Sequence, residues 1–536
     1  MEKEYGRKAH TCSIRDVGEI IVDDAQAEGR KEESQELFAA CFKVGNVDIP
    51  DFDLKQTDWR FRPVAAVHRP TEMLLCGPSF RTFAAGAKFW TRRTHTTWTK
   101  LGPKRKISSA VISLRLYDMT VFSPLHSLDS YLEATASRWA GMSGKIALKD
   151  GHQALRFSEL EARANHMARR LVDNGVGVGD FVGYLGPTGF PFVVTCWACL
   201  KAGMTFMPIS TKFPDKSVAD VLRTAKAKVF VSERALSVET GAFCQIGLPN
   251  EIQDTQPYSV ANIPATVLAV ASTTSGSTGT PKISGETRET IATVALQYLE
   301  MTGMGDHSCF GHCGTGAIPW MMAALYAGAC VTCYDPTSGS AQTLFDWLST
   351  GEVTHWHSYP ALYRTLAEVD GELSDLGTLV LCGEPIFRHD FQLFERLTQP
   401  GATLLNIYAH QEYSLGACFE IRNGEHLAFD KIPVGRVIGE NDLQILDEDG
   451  QPVGVRDIGE IVHRSLRVPE GYVGNPERSA QVFSTDEDGI HSFATGDLGY
   501  FDKDGLLHFV GLKDDRVKIR NFNLYPTDIE QEIKPH

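Results

Sequence analysis

The stretch Ser272-Thr-Thr-Ser-Gly-Ser-Thr-Gly-Thr-Pro-Lys282-Ile283 holds hydroxyl side chains, glycines and one lysine in close succession. An apolar run at residues 265–270 leads into it and predicts a buried strand, and we expect a helix to follow from about Glu286. Backbone N–H groups, hydroxyl donors and a cation suit the oxygens of a polyphosphate. The stretch is not a Walker loop, because no glycine directly precedes Lys282. A flexible Ser/Gly-rich surface loop would have a similar composition, so the rest of the chain must decide between the two interpretations.

The apolar periodicity on both sides of this stretch alternates between strand and helix. A helix is expected to begin at the capping-box pattern Ser158–Glu161 and to end by Gly175. The alternation extends to Ala409, which predicts repeated βαβ units: an α/β fold with parallel sheets and helices on both sheet faces. The predicted strands are 181–185, 205–209, 228–232, 330–335, 353–357, 378–382 and 403–409, and the predicted helices are 190–202, 216–227, 344–348, 360–367 and 387–397.

After Ile432 the sequence changes to short apolar runs, such as 443–446 and 459–463. Asp-Gly turns at 449–450 and 504–505 separate these runs, which predicts hairpin-type β structure. We therefore expect a large α/β core, a smaller β-rich subdomain and a C-terminal stub. The expected segments are an uncharacterised N-terminal extension (1–120), the α/β core (121–430), the β-rich subdomain of that core (431–511) and a hinge with the start of a C-terminal subdomain (512–536).

Bulk composition excludes several classes of function. The 536 residues have a formal net charge of −15, which argues against nucleic-acid binding by the body of the protein. Residues 88–106 carry seven Lys or Arg among aromatic residues, which can bind nucleic acid, although a solvated extension explains the pattern more simply. No apolar run approaches the roughly 20 residues that span a bilayer, and the N-terminus has no secretory pattern, so we expect a cytoplasmic protein without membrane insertion.

Two Cys-x-x-Cys pairs raise the question of metal or redox chemistry. Cys196 and Cys199 form one pair, and Cys330 and Cys333 form the other. Both pairs lie in apolar runs without neighbouring histidines or glycine-rich knuckles. We interpret these residues as buried thiols that pack as small hydrophobes, and we assign no metal–thiolate site.

A series of further motifs surrounds the central loop in a fixed order. They are Leu200-Lys-Ala-Gly203, Met207-Pro208, Gly383-Glu384-Pro385, Asn406-Ile-Tyr-Ala-His-Gln-Glu412, Pro433-Val-Gly435, Gly471-Tyr-Val-Gly-Asn-Pro-Glu477, Thr495-Gly-Asp497 and Gly511-Leu-Lys-Asp-Asp-Arg-Val-Lys-Ile519. Together with the central loop, this series resembles the adenylate-forming superfamily over about residues 125 to 535. That superfamily contains acyl- and aryl-CoA synthetases, adenylation domains of nonribosomal peptide synthetases, and luciferases.

The resemblance implies a reaction and a set of binding residues. Superfamily members use ATP and Mg²⁺ to convert a carboxylic acid into an acyl-adenylate, and they usually pass the acyl group to coenzyme A or to the phosphopantetheine of an acyl carrier protein. The residues implied to hold the β- and γ-phosphates are Thr274, Ser275, Gly276, Ser277, Thr278, Gly279 and Lys282, and those implied to line the adenine pocket are Gly383, Glu384 and Pro385.

The resemblance also implies roles for single side chains. Tyr408 would stack on adenine, Glu412 would coordinate Mg²⁺ and Asp497 would hold the ribose hydroxyls. These roles are physically reasonable, because a carboxylate accepts two hydrogen bonds from a diol and a carboxylate beside phosphates needs a bridging cation. We expect Lys282, Glu412 and His312 to contribute to catalysis. His312 matches a histidine that acyl-CoA synthetases often carry near the carboxylate, although a hydrogen-bonded core histidine is the alternative.

Three departures from the superfamily pattern bear on activity. Gln411 stands where a threonine usually contacts phosphate, Leu512 stands in place of an arginine and Asn521 in place of a glycine. The lysine that members carry near the end of a C-terminal subdomain has no counterpart before His536. We therefore expect a shortened member with slow adenylation. The alternative is a catalytically impaired relative, or a fragment, that binds nucleotide without full turnover.

The sequence also bears on the class of carboxylic acid that is activated. Amino-acid-activating members carry an aspartate in the segment that matches 310–328, and the corresponding residue here is Thr315. No acidic residue occurs between His307 and Tyr334. Because an unpaired buried ammonium would be costly, an uncharged acyl or aryl tail is favoured.

Overall fold

A computed structural model of the chain describes residues 127–515, 517–519 and 522–524. Within these ranges the description omits 152, 238–242, 249–255, 261, 275–281, 337–338, 414 and 440. The predicted extension at 1–120 with its basic stretch, Ser275 to Gly279 of the central loop, and Asn521 therefore lie outside the described residues.

Strands and helices alternate along the described chain, as the βαβ patterns predict. The strands are β1 (Ile146–Asp150), β2 (Gln153–Arg156), β3 (Phe181–Tyr184), β4 (Thr205–Pro208), β5 (Val229–Val231), β6 (Cys244–Ile246), β7 (Leu268–Thr274), β8 (Lys282–Thr287), β9 (Cys309–His312), β10 (Cys330–Cys333), β11 (His355–Ser358), β12 (Thr378–Cys382), β13 (Thr403–Tyr408), β14 (Ala417–Arg422), β15 (Arg436–Val437), β16 (Asp442–Leu446), β17 (Gly459–Ser465), β18 (Phe483–Thr485), β19 (His491–Phe501), β20 (Leu507–Leu512), β21 (Val517–Ile519) and β22 (Phe522–Leu524). The α-helices are α1 (Leu128–Ala140), α2 (Phe157–Asp173), α3 (Phe190–Ala202), α4 (Asp215–Thr224), α5 (Arg288–Thr302), α6 (Ile318–Ala327), α7 (Ala341–Thr350), α8 (Pro360–Arg364), α9 (Arg388–Leu397) and α10 (Pro476–Val482).

Two large sheets with mainly parallel strands form the core. The first has the strand order β15-β14-β13-β12-β11-β9-β10-β1-β2, and the second has the order β6-β5-β3-β4-β7-β8. In the first sheet the antiparallel pairs lie at the two ends of the strand order, β1 with β2 at one end and β13 with β14 and β14 with β15 at the other. In the second sheet the antiparallel pair is β7 with β8. This arrangement confirms the predicted α/β fold, because parallel neighbours require crossover helices.

Apolar helices join the two sheets into one core. Helices α3 and α6 are buried on nearly all sides, as expected of helices without a polar face. One cluster of buried side chains contains residues of α3 and α6 together with strands of both sheets. Trp197 of α3 stacks on Trp139 of α1 at 4.9 Å between ring centroids, and Trp320 of α6 stacks on Tyr298 of α5 at 3.6 Å.

A third, antiparallel sheet follows the core in sequence. Strands β16, β17, β19 and β18 lie in that order, and β20 pairs with β19. This sheet confirms the β-rich structure that was predicted after Ile432. The four segment boundaries of the sequence analysis stay a prediction.

Two helix starts differ by one or two residues from the predicted positions. The helix expected from about Glu286 begins at Arg288, because residues 282–287 form β8, a strand that was not predicted and that pairs antiparallel with β7. The helix expected at the Ser158–Glu161 box begins at Phe157 instead. Its Glu159 carboxylate accepts a 2.7 Å hydrogen bond from the backbone N–H of Arg156, so the box lies two residues earlier than predicted.

Candidate nucleotide and acid site

The central hairpin places Lys282 beside the carboxyl ends of parallel strands. Thr274 at the end of β7 pairs with Lys282 at the start of β8. The Ser284 hydroxyl of β8 donates a 3.3 Å hydrogen bond to the backbone carbonyl of Gln411, in the segment that follows β13. The hairpin is therefore fixed to the strand end that carries Tyr408 and Glu412, at the kind of edge where α/β proteins bind ligands.

Asp497 is held by two aromatic side chains. It lies on β19 and is 5% exposed, and its Oδ2 accepts hydrogen bonds from the Tyr408 hydroxyl at 2.8 Å and from His410 Nε2 at 2.9 Å. Its own N–H donates to the hydroxyl of Thr495 at 3.0 Å. A buried carboxylate requires such partners, and these contacts fix its direction.

His410 lies between the two carboxylates of the site. Its Nδ1 is 3.9 Å from Glu412 Oε2, and its ring stacks on Tyr413 at 5.2 Å. Burial alone would lower the pKa of His410, but the hydrogen bond to Asp497 and the charges of Asp497 and Glu412 raise it above the ordinary histidine value. No role was predicted for His410, although a histidine two residues before an acid was the available signal.

Glu412 is connected to Lys282 through Tyr472. The Tyr472 hydroxyl donates a 2.9 Å hydrogen bond to Glu412 Oε1, and the Lys282 ammonium lies 5.6 Å from the centre of the Tyr472 ring. Burial and the neighbouring Glu412 raise the pKa of Tyr472, so its hydroxyl stays protonated and donates. Tyr472 belongs to one of the quoted motifs, but its contact with Glu412 was not predicted.

The Gly383–Pro385 segment is fixed by an arginine. Gly383 follows β12 with a φ of +93°, a left-handed conformation that glycine tolerates. Arg364 donates a 2.8 Å hydrogen bond to the carbonyl of Pro385, and its Nη1 lies 3.4 Å from a carboxylate oxygen of Glu384. Glu384 is thus engaged in an ion pair, and the predicted adenine contact of this segment stays a prediction.

His312 is buried at the carboxyl end of β9, next to apolar rings. Its ring lies 5.4 Å from Phe192, and neither ring nitrogen has a hydrogen-bond partner among the described residues. Burial, together with the nearby His357, lowers the pKa of His312 to about 3, so the ring is neutral near pH 7. Both predicted roles of His312, near the carboxylate of the acid and as a core histidine, stay predictions. Buried polar atoms without partners call for a ligand or water.

His357 lies in the same buried region as His312. Its Nε2 lies 3.2 Å from the sulfur of Cys382, and its ring stacks on Trp320 at 5.5 Å. Burial lowers the pKa of His357 to about 4. The two histidines and Trp320 are therefore an uncharged group of imidazole and aromatic side chains.

Glu412 is the carboxylate of this site that could bind a divalent cation. The part of the chain that the structure describes has no group of three or more His, Cys, Asp or Glu side chains placed to hold a metal. Glu412 fits Mg²⁺ nevertheless, because Mg²⁺ is often bound by one or two carboxylates plus the phosphates of a substrate.

The family model described as AMP-binding enzyme matches residues 135–473, more than half of the chain. The chain belongs to the AMP-binding enzyme family. This membership confirms the resemblance to adenylate-forming enzymes, and it indicates the reaction class of AMP-forming ligases. Among the described residues of this AMP-binding enzyme, no helix is both long and apolar enough to cross a membrane.

Curated relatives of this AMP-binding enzyme include proteins of peptide and antibiotic biosynthesis. It is 29% identical over 421 residues to the probable non-canonical nonribosomal peptide synthetase CymA of Salinispora arenicola, covering 75% of this chain but 5% of CymA. It is 27% identical over 413 residues to novobiocin biosynthesis protein H of Streptomyces niveus, covering 73% of this chain and 67% of that protein.

Solved structures share the fold. The N-terminal subdomain of Klebsiella oxytoca NpsA, in complex with 3-hydroxybenzoyl-AMSN, has a TM-score of 0.63 at 22% identity and covers 72% of this chain and 100% of that chain. NpsA-ThdA, an artificially fused adenylation–PCP di-domain from Klebsiella oxytoca, has a TM-score of 0.64 at 23% identity and covers 77% of this chain and 84% of that chain.

Proposed function

We propose that this chain activates an uncharged acyl or aryl carboxylic acid with ATP and Mg²⁺, and that the acyl-adenylate then passes its acyl group to a pantetheine thiol. The observation that carries the proposal is the convergence of Lys282, Glu412 and Asp497. These residues come from β8, the end of β13 and β19, and direct contacts of Tyr472 and His410 connect them. Placing two carboxylates and a lysine together in a buried region costs desolvation free energy, which packing alone does not explain.

Each charged group has a distinct task in this proposal. Asp497 accepts hydrogen bonds from the ribose diol of ATP, and Tyr408 and His410 hold its carboxylate in place. Lys282 supplies positive charge toward the phosphates that the loop at 274–282 binds. Glu412, with one oxygen bound by Tyr472, is the residue that would hold Mg²⁺, which neutralises phosphate charge when bound. The stacking of Tyr408 on adenine is part of this proposal.

The bond changes are those of an in-line displacement. A carboxylate oxygen of the acid attacks the α-phosphorus, and the bond from that phosphorus to the bridging oxygen of the β-phosphate breaks. Pyrophosphate leaves and an acyl–AMP anhydride remains. Positioning and charge neutralisation provide the rate enhancement in such transfers, which is why fixed side chains matter more here than a general base.

The side chains around His312 support an uncharged tail. His312 and His357 are neutral, Phe192 and Trp320 are apolar, and the segment between His307 and Tyr334 contains no acid. An amino-acid ammonium bound next to these side chains would have no partner from that segment, and its desolvation would be costly. The free ring nitrogens of His312 instead suit a hydroxyl or carboxyl oxygen.

The acceptor is proposed to be the phosphopantetheine of a carrier protein or coenzyme A. The likeness to NpsA-ThdA, whose title names an adenylation–PCP di-domain, supports the carrier protein. Several matched relatives are much longer than this chain, so the complete reaction of those proteins is part of the proposal.

ATP–pyrophosphate exchange tests the first half-reaction. A panel of aliphatic, aryl and amino acids is assayed, with a Lys282→Ala/Asp497→Ala double variant as the blank. We expect exchange above the blank that depends on an uncharged acid, and little exchange with amino acids. An amino acid as the best substrate would contradict the proposed tail, and the absence of exchange with every acid would contradict the enzyme assignment.

A nucleotide-binding relative without turnover is the second candidate. It rests on Gln411 in place of threonine and on Leu512, which is exposed where related enzymes carry arginine. Equilibrium binding of ATP distinguishes the two candidates. ATP binding that the Asp497→Ala variant loses, together with no exchange, would favour the non-catalytic relative.

A further inference from the structure

Two cysteines lie next to each other in the first sheet, at the amino-terminal ends of two neighbouring parallel strands. Cys309 and Cys330 are the first residues of β9 and β10, and they are directly paired in the parallel register of these strands. Partners in neighbouring strands have Cα atoms about 4.8 Å apart and side chains on the same face, which lies within the range of about 4.4–6.8 Å that a disulfide spans. The Cys309 thiol, at the end of β9 where Cys309 pairs with Cys330, donates a 3.3 Å hydrogen bond to the backbone carbonyl of Gly351.

The sequence spacing suggested a different pair. Cys330 and Cys333 form a Cys-x-x-Cys, but both lie on β10, where residues three apart point to opposite faces of the sheet. Strand pairing, rather than sequence spacing, gives Cys330 its thiol partner. The interpretation of Cys330 as a buried hydrophobe is therefore incomplete, because its side chain is partly exposed.

A cavity lined by charged groups of both signs opens onto this pair. Cys309 and Cys330 line a cavity of about 430 Å³. The charged or titratable groups that also line it are Lys145, Lys149, His307, Glu352 and Asp375. Lys149 lies on β1, the neighbour of β10, and it donates a 3.3 Å hydrogen bond to Glu352.

The surroundings distinguish the two thiols. Cys330 is partly exposed, whereas Cys309 is 6% exposed and its thiol hydrogen is donated to the carbonyl of Gly351. The neighbouring Cys309 thiol, together with the charges of Lys149 and Lys145, also lowers the pKa of Cys330 against the opposing effect of burial. Because a peroxide reaches the more exposed thiol first, Cys330 is the nucleophile and Cys309 the resolving thiol, the arrangement found in redox-sensitive cysteine pairs.

We propose that Cys309 and Cys330 form a dithiol modification site that a hydroperoxide oxidises to a cross-strand disulfide. The Cys330 thiolate attacks the terminal peroxide oxygen, the O–O bond breaks, and a sulfenic acid and an alcohol or water form. The Cys309 sulfur then attacks the Cys330 sulfur, and the hydroxyl leaves as water with the proton of the Cys309 thiol. For hydrogen peroxide, two thiols and one peroxide give one disulfide and two water molecules.

Fragment mapping of the oxidised full-length chain tests the proposal. No Lys or Arg lies between the two cysteines, but Met321 and Met322 do, so cyanogen bromide followed by trypsin separates fragments 305–321 and 323–364. After treatment with hydrogen peroxide we expect these fragments to be joined until a reductant is added, with a mass loss of two hydrogens. Fragments that stay separate in folded, peroxide-treated protein would overturn the proposal.

Serine variants identify the sulfur atoms. Each fragment holds a second cysteine, Cys313 or Cys333, both buried, which provides matched controls. Cys309→Ser and Cys330→Ser should abolish the linkage, whereas Cys313→Ser and Cys333→Ser should retain it. A linkage that survives Cys330→Ser would contradict the assignment.

Alkylation kinetics of the unmodified protein need no cysteine variant. Iodoacetamide near neutral pH should modify Cys330 faster than the exposed Cys244, and Lys149→Met should slow the modification of Cys330. Lys228→Met removes a lysine that pairs with Asp180 elsewhere in the fold and serves as the control. Equal rates for Cys330 and Cys244 would show that the pair is not activated and would overturn the proposal.

Discussion

At the residue scale, His410 is the side chain whose position adds most to the motif it belongs to. It contacts the carboxylate proposed to bind ribose and lies near the one proposed to hold Mg²⁺. Its hydrogen bond to Asp497 joins residues 87 positions apart in sequence. Because it reaches the nucleotide through Asp497, His410 is a positioning residue rather than a catalytic one.

We predict that His410→Ala raises the KM for ATP in the exchange assay. A hydrogen bond to a charged group contributes about 1.5–3 kcal/mol, which corresponds to at least a roughly tenfold increase in KM. His410→Gln keeps an N–H donor and should recover part of the loss. The KM for the acid should change little, whereas the melting temperature should also fall, because the same hydrogen bond stabilises the folded chain. A drop in melting temperature without any change in the KM for ATP would show that the role is purely structural.

At the element scale, the sequence predicted the regular elements with a strong apolar pattern and missed those without one. The bounds of α3 and of β12 agree with the predicted 190–202 and 378–382, because both are continuous apolar runs. The strand β8 was missed, because Ser284, Gly285 and Glu286 are buried without being apolar. Its pairing with β7 decides its conformation, and that pairing is not visible in a local pattern.

The ion pair between α1 and α5 gives a prediction at this scale. Arg288 is 1% exposed, and its guanidinium bonds Asp129 at 2.5 Å and the carbonyl of Leu200 at 2.9 Å. Asp129→Ala would leave a buried cation without its counter-ion and should lower the free energy of unfolding by about 3 kcal/mol or more. Asp220→Ala breaks the exposed pair with Arg223 and should cost less than about 1 kcal/mol. Similar losses in urea unfolding of the two variants would contradict this prediction.

At the scale of the whole molecule, the order of the motifs predicted the superfamily, and the family match confirmed it. Roles for Tyr408, Glu412 and Asp497 could be read from the resemblance and stay predictions. The contacts of Tyr472 with Glu412 and of His410 with Asp497 could not, because each depends on the third sheet packing against the strand ends of the first. The Cys309–Cys330 pair escaped notice for the same reason, since strand order brings the two residues together.

Several buried histidines make the whole fold sensitive to acid. Burial is the largest cause that lowers the pKa of His312 and His463 to about 3, and of His355 and His357 to about 4. Their unfolded values lie near 6.5, so between about pH 4 and 6.5 the unfolded chain binds more protons than the folded one. Their contribution to stability is therefore complete above about pH 6.5 and is lost as the pH falls.

We expect the free energy of unfolding in urea to fall between about pH 7 and about pH 5, with a smaller slope in the His355→Gln variant. The raised pKa of His410 acts in the opposite direction, because its stabilisation is present at low pH and is lost as the pH rises. The four histidines with lowered pKa values outnumber this one group, so we expect their effect to dominate. His426→Gln, which removes an exposed imidazole, is the matched control. Only a histidine whose pKa is lower in the folded than in the unfolded chain adds to this pH dependence. If the free energy of unfolding of His355→Gln falls with pH as steeply as that of the unmodified chain, His355 does not contribute.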